Sequence, residues 1–115
     1  MKDLPKSHNI DKKTLTNYIA KEFGVSKKIT RTFYECVEEV IFELLSSVTP
    51  EYTKDNPMII KLFDGINLEG YYAPEKEKKV NYTDETVTVK SRIKVKANVT
   101  RNYIRKVTAN NISTN

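Results

Sequence analysis

The sequence predicts an α+β fold: two N-terminal helices, a three-stranded antiparallel sheet with an extended β-arm, and a short C-terminal helix. Three observations predict it. Apolar residues recur at helical spacing from Leu15 to Leu44, and they alternate at period two from Thr86 to Ala97. Between two further apolar runs stands Asp64-Gly65, a strong hairpin signal. A chain of 115 residues allows one domain. Its expected layout is an extension at 1–10, a folded domain at 11–109 and a polar tail at 110–115.

Asp11 can cap a first helix in which Leu15, Ile19 and Phe23 fall at four-residue spacing, beside Tyr18 and Ala20. Gly24 suits the left-handed position that ends such a helix, and Ser26 can cap a second almost at once. That second helix, Ser26 to Leu45, is the clearest element. Ile29, Phe33, Cys36, Val37, Val40, Ile41 and Leu44 form one stripe, while Arg31, Glu35, Glu38, Glu39 and Glu43 lie mostly outside it. The stripe is too long for so small a chain to cover, so Phe33, Val37, Val40, Ile41 and Leu44 are the expected oligomer interface.

Residues 46–57 turn polar, and Pro50, Pro57 and Asp55-Asn56 make them a long loop. Met58 to Phe63 reads as a strand that turns at Asp64-Gly65. Ile66, Leu68 and Tyr71-Tyr72 return as a second strand, with Gly70 marking a candidate bulge. Residues 73–83 are polar and charged, and Asn81 to Asp84 supply turn chemistry. Thr86 to Ala97 is the best strand, with Val87, Val89, Ile93 and Val95 at every second position apart from Ser91. Asn98 or Thr100 can cap a short last helix carrying Tyr103, Ile104 and Val107.

The net charge of +5 is unevenly placed. Residues 1–28 hold seven Lys and three acids, residues 29–57 two basic and six acidic groups, and residues 58–115 eleven basic and six acidic groups. An acidic middle between basic ends favours an anionic partner on selected faces, nucleic acid foremost. The sharpest constellation is Lys90, Arg92, Lys94 and Lys96, which period two places on one strand face over roughly 20 Å. Such a ribbon suits phosphate tracking through counterion release. It equally suits an edge strand defended by lysines. Lys76, Lys78 and Lys79 sit across the expected hairpin and extend the ribbon, diluted by Glu75 and Glu77. Tyr71, Tyr72 and Tyr82 are candidates for base stacking or for simple cross-strand pairing.

Other chemistry is sparse. Cys36 lies on the apolar stripe and reads as an inert core thiol, and His8 has no partner in sequence. One cysteine and one histidine leave no disulfide or metal cluster, and no cofactor is expected. There is no Gly-rich phosphate loop, Ser/His/Asp order or supported carboxylate pair, so neither an enzyme nor a small-molecule substrate is expected. No apolar stretch has the length of a membrane span or a secretory signal, so the sequon-like Asn81, Asn98 and Asn111 read as coincidences.

The stretch Leu15-Thr16-Asn17-Tyr18-Ile19-Ala20-Lys21-Glu22-Phe23-Gly24-Val25-Ser26-Lys27-Lys28 resembles the opening of the HU and integration host factor family of bacterial histone-like proteins. The resemblance continues through the strand Ile59 to Phe63, the Gly65 turn, the charged arm and the terminal helix, over about residues 11–109. It implies an HU/IHF-like fold, an intertwined dimer and a cytoplasmic, nucleoid-associated protein. It also implies two β-arms that reach around the minor groove of double-stranded DNA. The site it implies is Lys76, Lys78, Lys79, Lys90, Arg92, Lys94 and Lys96 on phosphates, with Asn81 and Tyr82 at the arm tip. Where the family carries an intercalating Pro, this chain has Asn81, or Tyr82 after a one-residue slip, and Val80 or Tyr82 is the replacement wedge on hand. The family's Gly-Phe-Gly turn becomes Phe63-Asp64-Gly65, its Pro-Gly-Lys becomes Val99-Thr100-Arg101, and the 46–57 loop is longer than usual. HU-like proteins also resemble ring subunits at the neck or tail of some large tailed bacteriophages. A virion structural role, held by other virion proteins, is therefore the alternative expectation.

Overall fold

A computed structural model describes residues 4–79 and 85–114. In chain order the elements are α1 (Lys12–Phe23), α2 (Lys27–Ser46), β1 (Met58–Phe63), β2 (Ile66–Ala73), β3 (Lys76–Lys79), β4 (Thr86–Val89), β5 (Arg92–Val99) and α3 (Arg101–Thr114). They divide into two compact units, Met1–Glu43 and Leu44–Asn115.

In the first unit the local signals act as their chemistry dictates. The Thr14 N–H donates to Asp11 Oδ1 at 2.8 Å, which satisfies one of the free donors at the start of α1. Gly24 ends α1 in the left-handed region at φ 66°, with its N–H turned to the Ala20 and Lys21 carbonyls. The Ile29 N–H then donates to Ser26 Oγ at 3.1 Å and caps α2. Thr16 and Ala20 are the buried residues of α1. Lys12 Nζ reaches Glu38 Oε1 at 3.0 Å across the helix pair, a surface ion pair that adds little.

The stripe on α2 forms as expected but does not enter a core. No residue of α2 is buried. Phe33 is 72% exposed, Val40 49% and Leu44 42%, and Ile41 is half-buried. The reading of Cys36 as a core thiol is corrected: it is exposed, because it shares the open side of the helix with Phe33 and Val40.

The second unit is built on a three-stranded antiparallel sheet in the order β1-β2-β5, with β3-β4 as a separate two-stranded arm. Phe63 pairs with Ile66, leaving Asp64-Gly65 as a two-residue turn with Gly65 at φ 98°. Gly70 is not a bulge. It pairs regularly with Met58 and Val95, and the register shift in this hairpin falls between Lys61 and Phe63 instead. Gly70 is buried because the end of α2 presses on it: an added Cβ would lie 2.8 Å from Leu45 Cδ2 and 3.4 Å from Val48 Cγ2.

The long strand expected from Thr86 to Ala97 is in fact two. It breaks at Lys90-Ser91, and β4 pairs with the arm strand β3 while β5 pairs with β2. The break takes in Ser91, the one interruption of the period-two pattern, and each half finds its own partner. Side-chain alternation gives the three-stranded sheet an apolar face with Met58, Ile60, Leu68, Gly70, Ile93 and Val95. This face is incompletely covered on β5, where Val95 is 53% exposed. Period two predicts that the apolar residues of this strand point into a core, and within one chain they do not.

Of the two candidate caps for the last helix, Thr100 is the one used. Its Oγ1 accepts from the Tyr103 N–H at 3.2 Å, and its own N–H donates to the Gly65 carbonyl at 2.8 Å. The helix is not short. It runs to Thr114, through most of the stretch expected as a polar tail, with no glycine or proline after Thr100 to stop it. No helix among the described residues is long and apolar enough to cross a membrane.

Candidate nucleic-acid interface

The opposite face of the three-stranded sheet carries the cations. Antiparallel register aligns Arg92 with Ala73, Lys94 with Tyr71, Lys96 with Glu69 and Asn98 with Asn67, and Lys61 of β1 lies beside Asn67 on the same face. Four cations therefore share this face with one carboxylate, Glu69. Arg92, Lys96 and Lys61 are exposed, and Lys94 is half-buried beside Tyr71. A strand face of this kind presents positive charge at twice the residue rise, ~6.6 Å apart along β5, a spacing close to that of successive phosphates.

One sequence expectation is corrected here. Lys90 does not belong to the ribbon of Arg92, Lys94 and Lys96, since it falls in the break before β5. The arm lysines do sit across the expected hairpin, but opposite β4 and not opposite Arg92, Lys94 and Lys96. Lys76 pairs with Val89, Lys78 with Val87 and Lys79 with Thr86, all against β4. Lys76 and Lys78 consequently share one arm face with the two valines, while Lys79 shares the other with Glu77. The arm tip, with Asn81 and Tyr82, lies outside the described residues.

Sequence alone marks the 46–57 loop as either functional or a solvated insertion. In the fold it is tied to the sheet: the Tyr72 N–H donates to the Tyr52 carbonyl at 2.9 Å, just past the point where β1 pairing ends at Met58 and Gly70. It holds itself by reciprocal bonds, Thr53 N–H to the Asn56 carbonyl at 3.2 Å and Asn56 N–H to the Thr53 carbonyl at 3.1 Å. Between this loop and the root of the arm lies an open groove of about 500 Å³, bordered by Lys54, Tyr71, Lys76, Arg92 and Lys94. Lys54 carries no sequence signal, because only the backbone tie at Tyr52 brings it near β5.

A second hollow, of about 430 Å³, lies between α1 and the start of α2, bordered by Lys13, Lys27, Lys28 and Arg31 together with Glu35. Three of those cations occupy the first two turns of α2, where the helix dipole adds positive potential. The count of lysines in residues 1–28 hints at this charge but not at its convergence.

The expected oligomer residues Phe33, Val37, Val40, Ile41 and Leu44 occupy one continuous side of α2. Phe33, Val37, Val40 and Leu44 are all more than two-fifths exposed.

A solved structure of similar fold is the HU–DNA cocrystal structure from Anabaena, with a TM-score of 0.58. The match covers 84% of this chain and 96% of that one at 18% sequence identity, a likeness of fold. No protein-family model and no curated protein sequence matches the chain.

Proposed function

We propose that this protein is an architectural, largely sequence-nonspecific binder of double-stranded DNA. It is not a catalyst, and it works as a dimer associated with the nucleoid. The observation that carries the reading is the alignment of Arg92, Lys94 and Lys96 on one face of β5, at the root of an arm bearing Lys76, Lys78 and Lys79. These six cations contact phosphates, which position a protein on the duplex without reading its sequence. The Anabaena fold, seen with DNA, supports the same reading. Dimerisation rests on the open stripe of α2 and the uncovered apolar side of β5, which together leave a single chain with little buried apolar surface. The virion-subunit alternative draws no support from the structural likeness.

The test is fluorescence anisotropy with duplexes of unrelated sequence over a salt series. Six neutralised phosphates give a slope of log affinity against log salt of about −5, a fall of about 10³-fold between 50 and 200 mM. Similar affinities across sequences are expected. Absence of binding at the lowest salt, or binding indifferent to salt, would overturn the proposal.

A further inference from the structure

We propose that the groove at the arm root is a pocket for one nucleotide unit, with a base laid on Tyr71 and its phosphate held by Lys54, Arg92 and Lys94. The pocket deepens the DNA-binding reading by sharing Arg92 and Lys94 with it, and adds a wall that the duplex face does not need.

Three features point this way. The groove's volume of about 500 Å³ lies in the range of small-ligand sites. Its described border carries Lys54, Lys76, Arg92 and Lys94 and no carboxylate, so its field selects an anion. Tyr71 stands on the cation-bearing side of β2, directly opposite Lys94, and supplies the flat apolar surface that a phosphate alone would not use. The loop wall is preorganised. The bond from Tyr72 to Tyr52 and the reciprocal bonds of Thr53 and Asn56 hold the loop backbone that carries Lys54 before any ligand arrives, which lowers the ordering cost of binding.

The ligand chemistry, an aromatic base carrying phosphate, occurs both in a free nucleotide and in a single strand. Calorimetry of the full chain with ATP and with a short oligothymidine distinguishes these sources, and a blunt duplex serves as the reference. Tyr71→Leu is expected to weaken the bound probe at least about five-fold. Lys54→Gln is expected to weaken it by a similar factor while blunt-duplex affinity stays within about two-fold. ATP binding alone assigns the pocket to free nucleotides, and oligothymidine binding alone assigns it to unpaired strands. Both outcomes sustain it. If neither probe binds, or if Lys54→Gln leaves both affinities unchanged, the pocket is refuted. Lys54 sits on an exposed loop, so its variant decides the matter even if Tyr71→Leu unfolds. A chain that binds ATP through Lys54 yet ignores blunt duplex keeps the pocket and loses the proposed function.

Discussion

Gly65 lies so close to Tyr103 that a Cβ at position 65 would stand 2.5 Å from the Tyr103 Cβ and 2.9 Å from its ring. The hairpin turn and the first turn of α3 thus touch where only a glycine fits, and Gly65 also holds a positive φ of 98°. Substitution is penalised twice, by backbone strain and by overlap. Gly65→Ala is expected to destabilise the protein by about 2–4 kcal/mol. Gly24 provides the comparison, because it shares a positive φ but has nothing within 4 Å of its Cβ position. Gly24→Ala should cost only about 1 kcal/mol. Urea melts at one protein concentration measure both, and equal losses would remove the close approach from the account.

The cap on α2 gives a smaller and cleaner effect. Ser26→Ala removes the acceptor for the Ile29 N–H and should lower stability by about 1 kcal/mol. Ser26→Asp keeps an acceptor and sets a negative charge at the positive end of the helix, so it should match or exceed the parent chain.

Asp11 makes stability depend on acid. The Thr14 backbone N–H, joined by its side chain, holds the Asp11 carboxyl below its ordinary value of 3.8. A carboxyl with a lowered folded-state pKa stabilises the fold above the unfolded value, and that contribution disappears as pH falls through the lowered one. Asp11→Asn retains a capping oxygen without the titration. The stability gap between the two chains should therefore be constant near neutrality and change only below about pH 4, as an acid titration followed by circular dichroism would show.

The cation face makes a quantitative demand on binding. Arg92→Gln and Lys96→Gln should each reduce affinity for every duplex sequence alike and lower the salt slope by about one for each phosphate no longer neutralised. A reduction confined to certain sequences would identify a base-reading role in place of a phosphate one.

Val40 distinguishes a solvated helix from an interface. At 49% exposure a Val40→Asp change would be nearly silent in a free monomer. In the proposed dimer it buries a charge, so sedimentation should show half the mass and unfolding should lose cooperativity. Cys36, on the same open side, should react with maleimide faster in that variant than in the parent chain.

Much of the fold is legible in the chain because it depends on neighbours within four residues. Asp11, Gly24, Ser26 and Asp64-Gly65 each act on the backbone beside them, and each does what its chemistry requires. The site is legible only in part. Arg92, Lys94 and Lys96 alternate on one strand as their spacing predicts, whereas the places of Lys90 and the arm lysines depend on where β4 ends and which strand each half pairs with. Lys54 gives no signal, since it enters the groove through a hydrogen bond between Tyr52 and Tyr72, twenty residues apart.

The sequence by itself determined the first two helices, the turn, the strand alternation and the cation count, all consequences of 3.6- and two-residue periods and of local caps. Tertiary structure decided the rest. It turned Gly70 from a candidate bulge into the floor under Leu45, divided one apparent strand between the sheet and the arm, and left the α2 stripe and Cys36 open. The physical reason is common to all of them. Register, close approach and burial are set by residues distant in sequence, and on α2 the apolar pattern specifies a surface to be covered without specifying that its own chain covers it.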